Sequence, residues 1–186
     1  MTTSRAIRLQ HDFIAMQAMN CDVLRWEAGD NRKPPEVYVV EYRLRGMIGP
    51  ESFCDVHTVV IKLLAEYPNK PPVAKFISRP VLFHPHVFEN GSVCVGGYSP
   101  EEGLAAFCLR IARYIQFQPC IINIKSPANL QALAWFHEHC DQLPVDNTPL
   151  PELPDRPNRP RGSGRFTVLS QTRIDDLIKK TQVRAV

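Results

Sequence analysis

The chain has 186 residues, 44% of them hydrophobic, and a formal net charge of +3. That length suits one domain with an appendage, and the apolar share is enough for a real core. Residues 1–150 carry 14 Lys+Arg against 15 Asp+Glu, and the rest carries 8 against 4, so the basic excess sits in the tail. Such a balance argues against a nucleic-acid binder. The six cysteines, Cys21, Cys54, Cys94, Cys108, Cys120 and Cys140, include no C-x-x-C pair, and a chain of this size needs no disulfide framework. The N-terminus, Met1-Thr2-Thr3-Ser4-Arg5, lacks the apolar run of a signal peptide, and no segment reaches transmembrane length. A reducing cytoplasm, free thiols and no membrane contact are therefore expected.

Residues 4–19 read as a helix, with Ala6, Leu9, Phe13 and Met16 on one face and Ile7 and Ile14 beside it. Strand-like alternation follows. In 37–45, Tyr38, Val40, Tyr42 and Leu44 alternate with Val37, Val39, Glu41 and Arg43, and Gly46 with Gly49-Pro50 marks a turn. Val59, Ile61 and Leu63 share a face in 56–64. The proline cluster Tyr67–Pro72 stops pairing, because proline has no N–H to donate, and Val73–Ile77 resumes as a strand. Residues 78–98 carry no long period and read as an ordered irregular segment, the kind that often holds sites.

Ser99-Pro100-Glu101-Glu102 has the form of a helix start, with Ser99 as N-cap; Leu104, Phe107, Cys108, Ile111 and Ile115 then make one stripe. A further helix is expected after Ser126-Pro127, with Leu130, Leu133, Ala134 and His137 on one face and Trp135 and Phe136 widening it. Six prolines between Pro144 and Pro160 predict a semi-rigid linker, and Gly162-Ser163-Gly164 a joint. The expected fold class is α+β: an antiparallel four-stranded meander with an N-terminal helix and C-terminal helices. The expected divisions are a main folded domain over 1–143, a Pro/Gly-rich linker over 144–165 and a tail with a short strand and helix over 166–186.

One stretch concentrates the chemistry. His84-Pro85-His86 is followed, eight residues after His86, by Cys94, which stands directly behind the turn Glu89-Asn90-Gly91-Ser92. Together with Tyr67-Pro68 and Pro71-Pro72 leading a strand, this order and spacing over residues 4–140 resembles the ubiquitin-conjugating enzymes. The family's triplet usually ends in asparagine, where this chain has His86. Its tryptophan before the Ser-Pro is here Tyr98, and the segment after the cysteine is shorter. Such departures are similar to those of bacterial ubiquitin-conjugating-like proteins, including ones encoded with antiviral defence systems.

The resemblance implies that Cys94 takes a ubiquitin-like modifier from an activating enzyme as a thioester and passes it to a target lysine. Cysteine suits this because a thiolate both attacks and leaves well. A free thiol, with a pKa of about 8.5, is only a few per cent ionised at neutral pH, but positioning can supply ~7–11 kcal/mol. A small buried hydrophobe is the alternative for any cysteine, and it is the preferred reading for the other five. For His86 the expectation is an N–H donor to the oxyanion, worth ~2.7–4 kcal/mol, with some base character, against a loop brace. His84 is expected to brace the loop. Ser126 stands near the expected gate to the site, where an N-cap before Pro127 explains it as well. The first helix, with Arg5 and Arg8, is the expected docking face for the activating enzyme.

No cofactor is expected. His84-x-His86 with Cys94, or His137-x-His139-Cys140, does not match common zinc spacings. Gly96-Gly97 is too short to cradle a nucleotide. Two other functions fit the residues: an inactive binding module on the same scaffold, and a cysteine hydrolase pairing Cys94 with His84 or His86, for which no orienting Asp or Asn can be placed.

Overall fold

A computed structural model describes residues 4–154, and Met1–Pro154 form one compact unit. Its elements are helix α1 (Ser4–Met19), strands β1 (Leu24–Ala28), β2 (Val37–Tyr42), β3 (Gly46–Gly49), β4 (Ser52–Cys54), β5 (His57–Lys62) and β6 (Val73–Phe76), then helices α2 (Leu104–Ile115) and α3 (Leu130–Glu138), with a 3-10 turn at Pro119–Ile121 between them. The main sheet is antiparallel in the order β1-β2-β5-β6, and β3 pairs with β4 as a separate small hairpin. The α+β class and the four-stranded antiparallel sheet are as expected, but the alternation located only three of its strands, β2, β5 and β6.

Strand alternation sets the layers. Tyr38, Val40 and Tyr42 of β2, Val59 and Ile61 of β5, and Ala74 and Phe76 of β6 all point into the core. Against them α2 lays Leu104, Phe107, Cys108, Ile111 and Ile115, the stripe its spacing predicted. Strand β1 was not anticipated. It is only five residues long, and its one deeply buried side chain is Leu24. Nor was β3, since Gly46 was read as turn punctuation. A Cβ at Gly46 would lie 2.5 Å from His57 Nε2 and 2.9 Å from Ile115 Cγ2, so only glycine lets this strand approach the core.

Three helix expectations need correction. The buried line of α1 is Leu9, Asp12, Met16 and Met19, while Ile7 and Ile14 are 47% and 54% exposed. Ser99 does not cap α2. It closes a turn with its carbonyl on the Glu102 N–H (2.8 Å), and the helix starts after Gly103. The N-cap of α3 is Asn129, whose Oδ1 accepts from the Ala132 N–H at 3.0 Å, so Ser126 is not the cap. With the start moved, Ala132 and Phe136 face inward, and Leu130, Ala134 and His137 are exposed. Phe136 belongs to a second small cluster with Met47 and Phe117.

The first two corrections share a cause. Asp12, 3% exposed, sits where an apolar residue would be expected. Its Oδ1 accepts from the Leu104 N–H (2.9 Å), satisfying one of the unpaired donors that every helix start leaves. Its Oδ2 accepts from Tyr67 Oη (2.5 Å) and Arg8 Nε (2.7 Å). Arg8 in turn donates to the carbonyls of Pro100 (2.6 Å) and Glu102 (2.5 Å). A buried carboxylate thus caps α2 from another helix, and a local serine cap is unnecessary.

Beyond α3, residues 144–154 lie extended along this unit. Gln116 Nε2 donates to the Thr148 carbonyl (2.7 Å), the Arg45 N–H to Asp146 Oδ2 (3.0 Å), and Leu150 packs against the core. The Gly162–Gly164 joint and the 166–186 tail fall outside the described residues.

Asp12→Ala removes the only carboxylate on the Arg8 charge among the described residues and leaves the Tyr67 O–H and the Leu104 N–H without their acceptor. It is expected to lower the free energy of urea unfolding by about 3–5 kcal/mol. A loss under about 1 kcal/mol would show that the network contributes little to stability.

Candidate active site

Cys94 ends a short hairpin built from the irregular segment. Val87 and Val93 face each other as an antiparallel bridge, the Phe88 N–H donates to the Ser92 carbonyl (2.9 Å), and the Cys94 N–H donates to the His86 carbonyl (2.8 Å). At its tip Asn90 Oδ1 accepts from the Ser92 N–H (2.9 Å), and Gly91 takes φ +89°, which side chains other than glycine rarely adopt. A Cβ there would also strike the Phe76 carbonyl oxygen at 2.5 Å. The hairpin continues the sheet: Ser92 bridges Lys75, and the Val93 N–H donates to the Ala74 carbonyl (3.0 Å). Cys94 is therefore carried on sheet-like backbone, half-buried, beside position 86.

The triplet ties this hairpin to the segment leading into α3. The Pro85 carbonyl accepts from the N–H groups of Ala128 (2.7 Å) and Asn129 (3.1 Å). His86 Nε2 accepts from the Asn123 N–H at 2.8 Å. A backbone amide can only donate, so Nε2 carries no proton and the neutral ring holds its proton on Nδ1. That Nδ1 is sealed from solvent and has no partner. The same logic applies to His84, whose Nδ1 accepts from the His86 N–H at 3.0 Å, leaving its proton on Nε2.

Burial fixes both rings as neutral. It pushes His84 well below the ordinary histidine range, with His86 adding to the effect. Burial also lowers His86, and the Arg110 charge lowers it further. With Nε2 committed and Nδ1 protonated, His86 offers no free lone pair, so the arrangement gives it no base character. His84, wholly buried against Tyr114 (4.9 Å between centroids) and Phe117 (5.1 Å), is placed to brace the loop.

Ser126 is exposed, and its N–H donates to the Asn123 carbonyl at 3.4 Å. It lies in the segment that His86 and Pro85 hold, three residues from the bond to His86. Of the other cysteines, Cys108 is fully buried, with its thiol pushed up to about 12 by burial. All six are free.

Three positions beside the candidate site were not singled out from the sequence. Asn123 takes part through its backbone N–H, which no side-chain pattern reveals. Tyr114 lies on α2, and its ring is 5.3 Å from that of His86. Arg110 donates from one guanidinium nitrogen to the carbonyls of Val95 and Gly97, both at 2.8 Å, and from the other to Glu102 Oε2 (2.7 Å), so it holds the loop that follows Cys94. On α1, Arg8 is spent on the Asp12 network. Arg5 forks onto Glu36 (2.8 and 3.1 Å) and reaches the carbonyls of Leu63 and Leu64. The outward side of that helix offers Ile7, His11 and Ile14 instead. Among the described residues, no group of three or more His, Cys, Asp or Glu side chains is placed to hold a metal ion, and no helix is long and apolar enough to cross a membrane.

A sequence profile described as ubiquitin-conjugating enzyme matches residues 50–139. The chain is similar to "Ubiquitin-conjugating enzyme E2 1" of Caenorhabditis elegans, 32% identical over 146 residues that cover 75% of this chain and 69% of the relative. It is 38% identical over 78 residues to "Ubiquitin-conjugating enzyme E2 3" of Arabidopsis thaliana, covering 40% of this chain and 48% of that one. The matches therefore span from about half to about two thirds of these relatives' lengths. A solved structure titled "Novel Ubiquitin-Conjugating Enzyme" shares the fold at a TM-score of 0.52 and 23% identity, covering 74% of this chain and 88% of that one.

The His86 bond has a direct readout. In His86→Ala, exchange of the Asn123 amide hydrogen is expected to speed up about tenfold, the loss of one net hydrogen bond. Gln at position 86, whose side-chain oxygen can accept at a similar reach, should restore much of the protection. Unchanged exchange in His86→Ala would show that the ring does not hold this segment.

Proposed function

The chain belongs to the ubiquitin-conjugating enzyme family, and from that premise we propose that it carries a modifier as a thioester on Cys94. The modifier is ubiquitin or a ubiquitin-like protein handed over by an activating enzyme, and the acceptor is a lysine amine of a target. The observation that supports this most is that Cys94 is the cysteine bonded to the triplet, its N–H on the His86 carbonyl, with the thiol side half-open. Cys108 is excluded by its burial.

In the loading step the Cys94 thiolate attacks the thioester carbonyl on the activating enzyme, and that enzyme's thiolate leaves. In the transfer step an amine displaces Cys94, giving an amide and a free thiol. Neither step consumes a nucleotide on this chain; activation of the carboxyl belongs to the partner. His86 enters as a brace. It sets the distance between the cysteine hairpin and the 123–129 segment, along which an incoming lysine would pass Ser126. The exposed face of α1, with Ile7 and Ile14, is the proposed docking surface for the activating enzyme, and Arg5 and Arg8 stiffen that helix from behind. Six free thiols suit a reducing cytoplasm. The imidazole at position 86 and the short loop after Cys94 favour a place among the divergent, bacterial-type members, where a defence setting is the proposed context.

Incubation with ubiquitin-activating enzyme, ATP and ubiquitin or a ubiquitin-like protein, followed by non-reducing electrophoresis, tests the reading. A thiol-sensitive adduct is expected. Cys94→Ala should abolish it, and Cys94→Ser should convert it to a thiol-resistant oxyester. An adduct that persists in Cys94→Ala would refute the site, and no adduct with any modifier would favour a binding module.

A further inference from the structure

We propose that the Tyr114 hydroxyl is the donor that holds the carbonyl oxygen over Cys94 during transfer, a catalytic contact supplied by α2 and not by the triplet loop. This deepens the thioester reading and rests on it.

The need arises at position 86. Attack of an amine on the thioester places negative charge on the carbonyl oxygen, and a fixed donor aimed at that oxygen lowers the barrier. The residue beside Cys94 in the hairpin is His86, and both its nitrogens are withdrawn: Nε2 accepts from Asn123, and Nδ1 is sealed inside. A donor must come from elsewhere.

Tyr114 is placed to serve. Its ring lies against His86 (5.3 Å, 38° between planes) and His84 (4.9 Å, 36°), and the residue is 4% exposed, so the ring has one orientation. No hydrogen bond among the described residues engages its hydroxyl. Nor is that oxygen among the sealed, unpaired atoms, which include Tyr38 Oη, His84 Nε2 and His86 Nδ1. It therefore reaches solvent, on a ring packed against the residue whose carbonyl holds the Cys94 N–H. Burial raises the phenol, and the Arg110 charge pulls it back. Cys94 lies close enough that its charge raises it again. The group stays protonated at neutral pH, as a donor must.

The step balances without another reagent. The amine lone pair forms the C–N bond while the carbonyl π pair moves onto oxygen, where the Tyr114 O–H donates to it. That pair returns as the C–S bond breaks, Cys94 leaves as thiolate, and the nitrogen loses its proton to water. Tyr114 keeps its own proton throughout.

Tyr114→Phe removes the hydroxyl and keeps the ring that packs on both histidines, so the fold is expected to hold, and urea unfolding checks this. Cys94 is acylated with a synthetic Gly-Gly peptide thioester, located by peptide mapping, and discharged with free lysine. With both proteins loaded to the same extent beforehand, the variant should discharge about ten- to a hundredfold more slowly, with the whole pH profile lowered and not displaced. Discharge within about twofold of native would overturn the proposal. The probe needs neither modifier nor activating enzyme. A failed ubiquitin adduct would thus count against the proposed function alone, and a native discharge rate in Tyr114→Phe against Tyr114 alone.

Discussion

The site depends on one hydrogen bond, from the Asn123 N–H to His86 Nε2 at 2.8 Å. It joins two parts of the chain that nothing local would bring together: the hairpin that presents Cys94 and the segment that leads into α3. Because the donor is a backbone amide, the bond also dictates the proton on the imidazole. From that follow the neutral ring, the lack of a free base and the need for a donor elsewhere. The two N–H groups on the Pro85 carbonyl reinforce the same seam. A charged His86 would turn Nε2 into a donor facing another donor, so burial and the nearby Arg110, which both keep the ring neutral, are part of the same design.

A second constraint sits on the other side of α2. Asp12 fixes the start of that helix, and Arg8 holds the turn before it through two carbonyls. Glu102 belongs to that turn, and its carboxylate holds Arg110, which holds the carbonyls of Val95 and Gly97 next to Cys94. Buried charges are costly unless each is met by partners. Here each one is met, and the partners fall on the segments whose placement shapes the site. The helix that presents Tyr114 is thereby anchored at its beginning by α1 and along its length by the loop after the cysteine.

What the sequence made legible was periodic or local. The alternation in β2 and β5 and the stripe of α2 follow from burial of one face, and the Asn90-Gly91 turn from the φ that glycine allows. Cys94 and the triplet were legible through their spacing. The rest depends on partners distant in the chain. Asp12 was not singled out, because its partners, Tyr67 and Leu104, lie far along the chain. Asn123 carries its role in a backbone N–H, which no side-chain pattern reveals. Ser99 and Ser126 matched local capping signals, but Asp12 and Asn129 supplied the caps. Arg5 and Arg8 looked like free surface charges until their carbonyl and carboxylate partners were placed.

The tautomer of His86 decides whether the Asn123 N–H holds the ring as the seam requires. Long-range proton–nitrogen NMR of the imidazole distinguishes a protonated from an unprotonated nitrogen. A proton on Nδ1, none on Nε2, and a ring that stays neutral below the ordinary histidine pKa of about 6.5 are expected. A proton on Nε2, or a ring that titrates at its ordinary value, would contradict this.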